Sequence, residues 1–217
     1  QQLLILRYLV KKLRPDYVLF APYSGCANRN LTSSRTFHDP LHGGYTNRPK
    51  PFFKISDGLL YLKNMPIPAW EILSKDKKNH KFTNILSQLT YFRLKEFNKI
   101  YTGHDKYGNL LTKTIIKEIF SLTVQNGAKL IIMPLPAEHD VTSTSNHVNS
   151  FYSKLSEELN FFYIDLQSKI DKLDNEKIEN FFISFDGHYS PNGHQIIAEI
   201  FKNSVVTCIP VIKDGEL

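Results

Sequence analysis

The stretch LLTKTIIKEIFSLTVQNGAKLIIM, residues 110–133, reads as a helix, its stop and a buried strand in immediate succession. Residues 110–125 place apolar side chains at helical spacing. Asn126-Gly127 supplies the stop, because glycine enters the left-handed conformation that ends helices without steric cost. Residues 129–133 then form an apolar run of strand length. The same unit recurs at 149–159 followed by 161–166. An earlier copy opens the chain: Leu3, Leu4, Leu6, Leu9, Val10 and Leu13 recur at helical spacing, Pro15 ends the run, and 17–22 is the next strand. Residues 181–185 predict a last strand. Helices alternating with strands argue for an α/β fold, a mainly parallel sheet with helices on both faces.

Two regions interrupt that alternation. Residues 26–50 shift to Asn, Ser, Thr, His, Gly and Arg with little periodicity, which predicts a long surface loop. Phe52, Phe53 and Ile55, the pair Asp57-Gly58, and the run 59–62 predict an inserted β-hairpin, since Asp-Gly supplies the positive φ angles of a tight turn. Residues 82–101 read as a helix with Ile85, Leu89, Phe92 and Phe97 among its apolar positions. No internal repeat, low-complexity tract or second domain is visible, and 217 residues fit a single domain.

Composition bounds the function. With 41% hydrophobic and 12% aromatic residues the chain can bury a substantial core. No apolar run approaches the ~18 residues of a membrane-spanning helix. The chain begins with Gln1 and enters directly on an amphipathic helix, which reads as a truncated or processed N-terminus. A net charge of +6 suits anionic partners, but the basic residues are scattered. Their densest group, Lys75, Lys77, Lys78, His80 and Lys81, reads as a solvated loop, so nucleic acid is assigned no role. Cys26 and Cys208 make neither a metal pattern nor a disulfide framework and leave the compartment open. His38, His42, His80, His104, His139 and His147 fit no metal-ligand spacing.

The chemistry gathers in 185–200, Phe-Asp-Gly-His-Tyr-Ser-Pro-Asn-Gly-His-Gln-Ile-Ile-Ala-Glu-Ile. Asp186 and His188 flank Gly187, where the backbone can bend sharply; Pro191 can open a helix that Ile196, Ile197 and Ile200 anchor to a core. A carboxylate beside an imidazole fixes its tautomer and stabilises its protonated form, as an Asp does for a His that deprotonates a serine. This segment resembles the last block of the SGNH, or GDSL-like, esterases and acylhydrolases. The opening helix and the segment 14–25, Arg-Pro-Asp-Tyr-Val-Leu-Phe-Ala-Pro-Tyr-Ser-Gly, look like the helix and third strand that lead into that family's Gly-x-Asn-Asp block.

The resemblance implies a three-layer α/β/α, flavodoxin-like domain and a Ser-His-Asp ester hydrolase acting on an acyl ester of a carbohydrate or lipid, without metal or cofactor. His188 would be the base and Asp186 its orienting acid. The family's serine block and its oxyanion-hole glycine would lie upstream of Gln1, and its first two strands would flank 17–22. Where the pattern calls for Gly-Asn-Asp, this chain has Gly25-Cys26-Ala27, with Asn28 close but displaced, so an expected amide donor to the oxyanion hole is absent. Ser24 and Cys26 are residues of the same edge that offer a nucleophile's atom without its usual surroundings. His194 reads as a helix-start residue at the rim, and Asp165 as a cap for the helix after it. Two other readings stand beside the esterase: a non-catalytic relative that binds a glycan or protein partner, and an O-acyltransferase that modifies surface polysaccharide. Members of the family are often secreted or envelope-associated, while the compartment of this chain stays open.

Overall fold

A computed structural model describes residues 1–39, 44–67, 106–142, 147–174, 178, 180–184 and 186–208. The predicted helix at 82–101, the lysine group at 75–81, and His42, His80 and His104 lie outside the described residues. The chain divides into two compact units, one formed by Gln1–Tyr8 and Gly25–Ile119, the other by Leu9–Ser24 and Phe120–Leu217.

The second unit is organised by a three-stranded parallel sheet. Helix α1 (Gln2–Leu13) ends before Pro15, and strand β1 (Tyr17–Phe20) follows. Helix α3 (Lys106–Gln125) leads into β6 (Lys129–Ile132). Its end is closed by Gly127 at φ +78, with the Ala128 N–H on the Thr123 carbonyl at 3.0 Å and the Gly127 N–H on Val124 at 2.9 Å, the paired bonds of a Schellman stop. Helices α4 (Glu138–Thr142) and α5 (His147–Leu159) connect β6 to β7 (Phe162–Tyr163). The strand order is β1-β6-β7. Tyr17 pairs with Lys129 and Phe20 with Ile132; Ile131 pairs with Phe162 and Ile132 with Tyr163, all in parallel.

Being central, β6 is apolar through Leu130, Ile131 and Ile132, all buried, as a strand covered on both faces must be. Ile131 and Met133 join Ile164, Leu166, Ile170, Phe181 and Ile197 in one core. Each such aliphatic side chain contributes about 1.5–3 kcal/mol by leaving water. Asp165 caps α6 (Leu166–Ile170), accepting from the Ser168 N–H at 3.0 Å and the Ser168 hydroxyl at 2.7 Å. The last helix, α7 (Pro191–Cys208), sets Ile197 into the core with Ile196 and Ile200 against it.

The structure corrects the predicted strand at 181–185. Among its described residues, 181–184, only Phe182 forms a β-bridge, and its partner is Tyr189 on the returning chain. The Ile183 N–H donates to the His188 carbonyl at 2.8 Å and the Ser190 N–H to Phe181 at 3.0 Å, so the segment spends its polar backbone on its own turn. The strand read at 161–166 is shorter than expected, because Asp165 and Leu166 already start a helix.

The first unit corrects the predicted loop at 26–50. It contains a short helix α2 (Cys26–Leu31) and an antiparallel hairpin of β2 (Ser34–Asp39) and β3 (Gly44–Pro49), in register from Ser34 opposite Pro49 to Asp39 opposite Gly44. Polar residues fill nearly every position of both strands, SRTFHD and GYTNRP, so there is no apolar alternation to read, and the hydrogen-bond ladder forms without one. The expected hairpin is present as β4 (Phe52–Ser56) and β5 (Leu59–Lys63). Asp57 and Gly58 take φ 50 and φ 75, as a primed two-residue turn requires.

Candidate active site

The turn that carries Asp186 and His188 is held at three points. At its apex Gly187 sits at φ +72, with the Asp186 and Gly187 N–H groups directed to the Ile183 carbonyl at 3.1 and 3.4 Å. At its base the Tyr189 ring stacks on Phe182, centroids 5.2 Å apart, and meets Phe181 and His194 edge-on. The Tyr189 hydroxyl also donates to the Pro136 carbonyl in the segment after β6. At its exit the Ser190 hydroxyl accepts from the Gly193 N–H at 3.0 Å, capping α7, and donates to the Asn180 carbonyl. Gly193 presses on the turn so closely that a Cβ there would stand 2.1 Å from the Phe181 carbonyl oxygen.

On this frame His188 Nδ1 lies 2.7 Å from Asp186 Oδ1. An Nδ1–H donating to the carboxylate leaves the Nε2 lone pair as the base, and the carboxylate stabilises the imidazolium formed once that base takes a proton. The pair is open to water, with the His188 side chain 81% exposed and that of Asp186 53%. A Glu138 carboxylate oxygen lies over the apex, 3.6 Å from where a Cβ on Gly187 would stand. Burial, then Tyr23 and then Asp140 push the Tyr189 hydroxyl well above its ordinary range, so it stays a neutral donor.

Asp186 and His188 are brought together as the sequence predicts. Gly25, Cys26 and Asn28 fall in the other unit, where Gly25 caps α2 at φ −78 and Cys26, Ala27 and Asn28 form its first turn. The Gly25 carbonyl accepts the Arg29 N–H at 3.3 Å. The half-buried Cys26 is in no disulfide. Ser24 pairs its N–H with the Leu135 carbonyl at 3.0 Å, and its hydroxyl is buried without a hydrogen-bond partner among the described residues. His194 packs its ring against Tyr189 at the start of α7, a supporting position.

Sequence reasoning missed Tyr189, Ser190 and Gly193 as builders of the turn. Ser190 before Pro191 is a legible helix-start signal. The reach of Tyr189 to Pro136 joins segments 53 residues apart and has no local signature. Among the described residues no group of three or more His, Cys, Asp or Glu is placed to hold a metal ion, and no helix is long and apolar enough to cross a membrane. Comparisons with protein-family models, curated proteins and solved structures returned no match to this chain.

Proposed function

We propose that the chain is part of an SGNH-type ester hydrolase, a three-layer α/β/α domain in which Asp186 and His188 serve a Ser-His-Asp triad acting on an acyl ester of a carbohydrate or lipid. The observation that supports this reading is the 2.7 Å contact between His188 Nδ1 and Asp186 Oδ1 on a turn braced by Tyr189, Ser190 and Gly193. The mechanism requires a nucleophilic serine in a Gly-Asp-Ser block. His188 takes its proton as the hydroxyl attacks the ester carbonyl and returns it to the leaving alcohol; the acyl-enzyme is then hydrolysed. The chain reads Gly25-Cys26-Ala27 where the family pattern has Gly-Asn-Asp, so one expected amide donor is missing from the sequence, and loss of one oxyanion donor costs on the order of a hundredfold to a thousandfold in turnover.

The test is release of p-nitrophenol from p-nitrophenyl acetate by protein expressed from the reading frame extended upstream of the Gln1 codon. His188→Ala is expected to lower kcat by about 10²- to 10⁴-fold with unchanged circular dichroism. Undiminished hydrolysis in that variant refutes the assignment. Acyl transfer to a sugar acceptor in preference to water would make the enzyme an O-acyltransferase. A second reading, a non-catalytic relative that binds a glycan or protein partner, is favoured by the 81% exposure of the His188 side chain, since proton-transfer groups act best where water is excluded. No turnover by the extended protein on any acyl ester would select it.

A further inference from the structure

The β4–β5 hairpin turns one face inward and one outward. The inward face holds the buried Phe53, and Tyr107 in α3 reaches the hairpin by accepting the Ile55 N–H at its hydroxyl at 3.2 Å. The outward face is where polar residues are expected on a half-solvated antiparallel pair. Instead Leu59 is 62% exposed and Tyr61 43% exposed, two residues apart and therefore on one side of β5. The chain continues with Met65 at 57% and Ile67 at 54% exposure.

Cations frame this apolar strip. Lys54 stands opposite Tyr61 and Lys63 opposite Phe52, with the Lys54 ammonium 5.9 Å from the Phe52 ring centre. The Asn64 amide donates to the Ser33 and Lys50 carbonyls, both at 3.1 Å, and so ties the strip to the base of the β2–β3 hairpin. There Arg35 and Arg48 are directly opposite each other, an arrangement that costs stability in a sheet. Lys50 lies two residues beyond Arg48, and its ammonium donates to the Arg29 carbonyl at 2.7 Å. Burial, with Arg35 and Arg29 near, holds the Lys50 ammonium below its usual range, a strain that an anionic partner relieves.

The charge bias extends through the whole unit. Gln1–Tyr8 with Gly25–Ile119 contains 17 Lys and Arg against 7 Asp and Glu, a net +10. Leu9–Ser24 with Phe120–Leu217 contains 10 against 14, a net −4, and the two make the +6 of the chain.

We propose that the outer face of the β4–β5 hairpin, with the exposed Met65 and Ile67 that follow β5 in the chain and the cations at the base of β2–β3, is a docking surface for an anionic lipid bilayer. Exposed Leu, Tyr, Met and Ile suit insertion at the level of the headgroups, and the flanking Lys and Arg suit the negative potential of anionic lipids. A nucleic acid or acidic glycan uses the cations but leaves the apolar strip in water. The proposal is independent of the esterase reading, because it concerns binding without turnover.

The experiment is co-sedimentation of the chain with vesicles of pure phosphatidylcholine and with vesicles containing 30% phosphatidylserine, at low and high salt. Binding is expected to the anionic vesicles alone and to weaken as salt rises. Lys54→Gln with Lys63→Gln is expected to lower the partition coefficient on the order of fivefold per charge removed. Leu59→Ser with Tyr61→Ser is expected to weaken binding at unchanged Tm, both positions being solvent-exposed. Equal binding to both vesicle types, no binding to either, or anionic-vesicle binding unmoved by both double variants overturns the proposal. So does binding to polygalacturonate or a single-stranded oligonucleotide without binding to the vesicles.

Discussion

Tyr189 does the most for the candidate site without belonging to its chemistry. Its hydroxyl is held neutral by burial, while the same phenol in the unfolded chain ionises near its ordinary value of 10.0. Stability from this group is therefore fully present below about pH 10 and is lost progressively as pH rises above that value toward the raised folded-state range, because the unfolded chain releases its proton first. Tyr163, raised by burial and then by Asp165, acts in the same direction. Tyr189→Phe should cost about 1 kcal/mol at neutral pH through the lost bond to Pro136. It should also reduce the alkaline loss of stability, measured as urea midpoints between about pH 7 and pH 11; an unchanged alkaline slope would contradict this account. Asp186, Gly187 and His188 were legible as a site because their interaction is local, two residues apart around a glycine. Tyr189 was not, because its partner is reached only through the fold.

Among the elements, the helix-to-strand units around β6 and β7 and the β4–β5 hairpin follow the sequence, since helical period, capping residues and an Asp-Gly turn are local signals. The errors fall where side-chain pattern and backbone pairing part company. Residues 34–39 and 44–49 pair antiparallel without an apolar alternation. Residues 181–185 have the apolar character of a strand in sequence, yet the backbone bonds of Phe181 and Ile183 close a turn against His188 and Ser190. The junction of that turn with α7 depends on the absence of a side chain at Gly193. Gly193→Ala should place a methyl against the Phe181 carbonyl and destabilise by about 1–3 kcal/mol or more, even though alanine is the better helix former. Thermal unfolding of that variant, with Ala198→Gly in the same helix as a propensity control, separates the clash from helix propensity. A Gly193→Ala protein as stable as the parent would show that the turn yields at no cost.

At the scale of the molecule, among the described residues β1 stands at the end of the order β1-β6-β7, and Leu19 on it is 44% exposed. An outer strand with an exposed Leu is a template for pairing with another chain. Leu19→Lys should reduce self-association, seen as a lower weight-average mass by sedimentation at high protein concentration, while changing stability by roughly 0.5 kcal/mol or less as exposed substitutions do. Association that is equal in the two proteins would locate the contact elsewhere.

By itself the sequence determined the α/β class, the parallel sheet, the C-terminal ends of α1, α3 and α5 and the meeting of Asp186 with His188, because each rests on periodicity, capping or a turn within a few residues. The tertiary structure alone decided that 26–31 forms a helix and 34–39 pairs with 44–49, that 181–184 turns back rather than extending the sheet, and that Leu59 and Tyr61 face water beside Lys54 and Lys63. Those outcomes depend on which distant backbone groups and side chains meet, and the free energy of such meetings is not written in any local stretch of the chain.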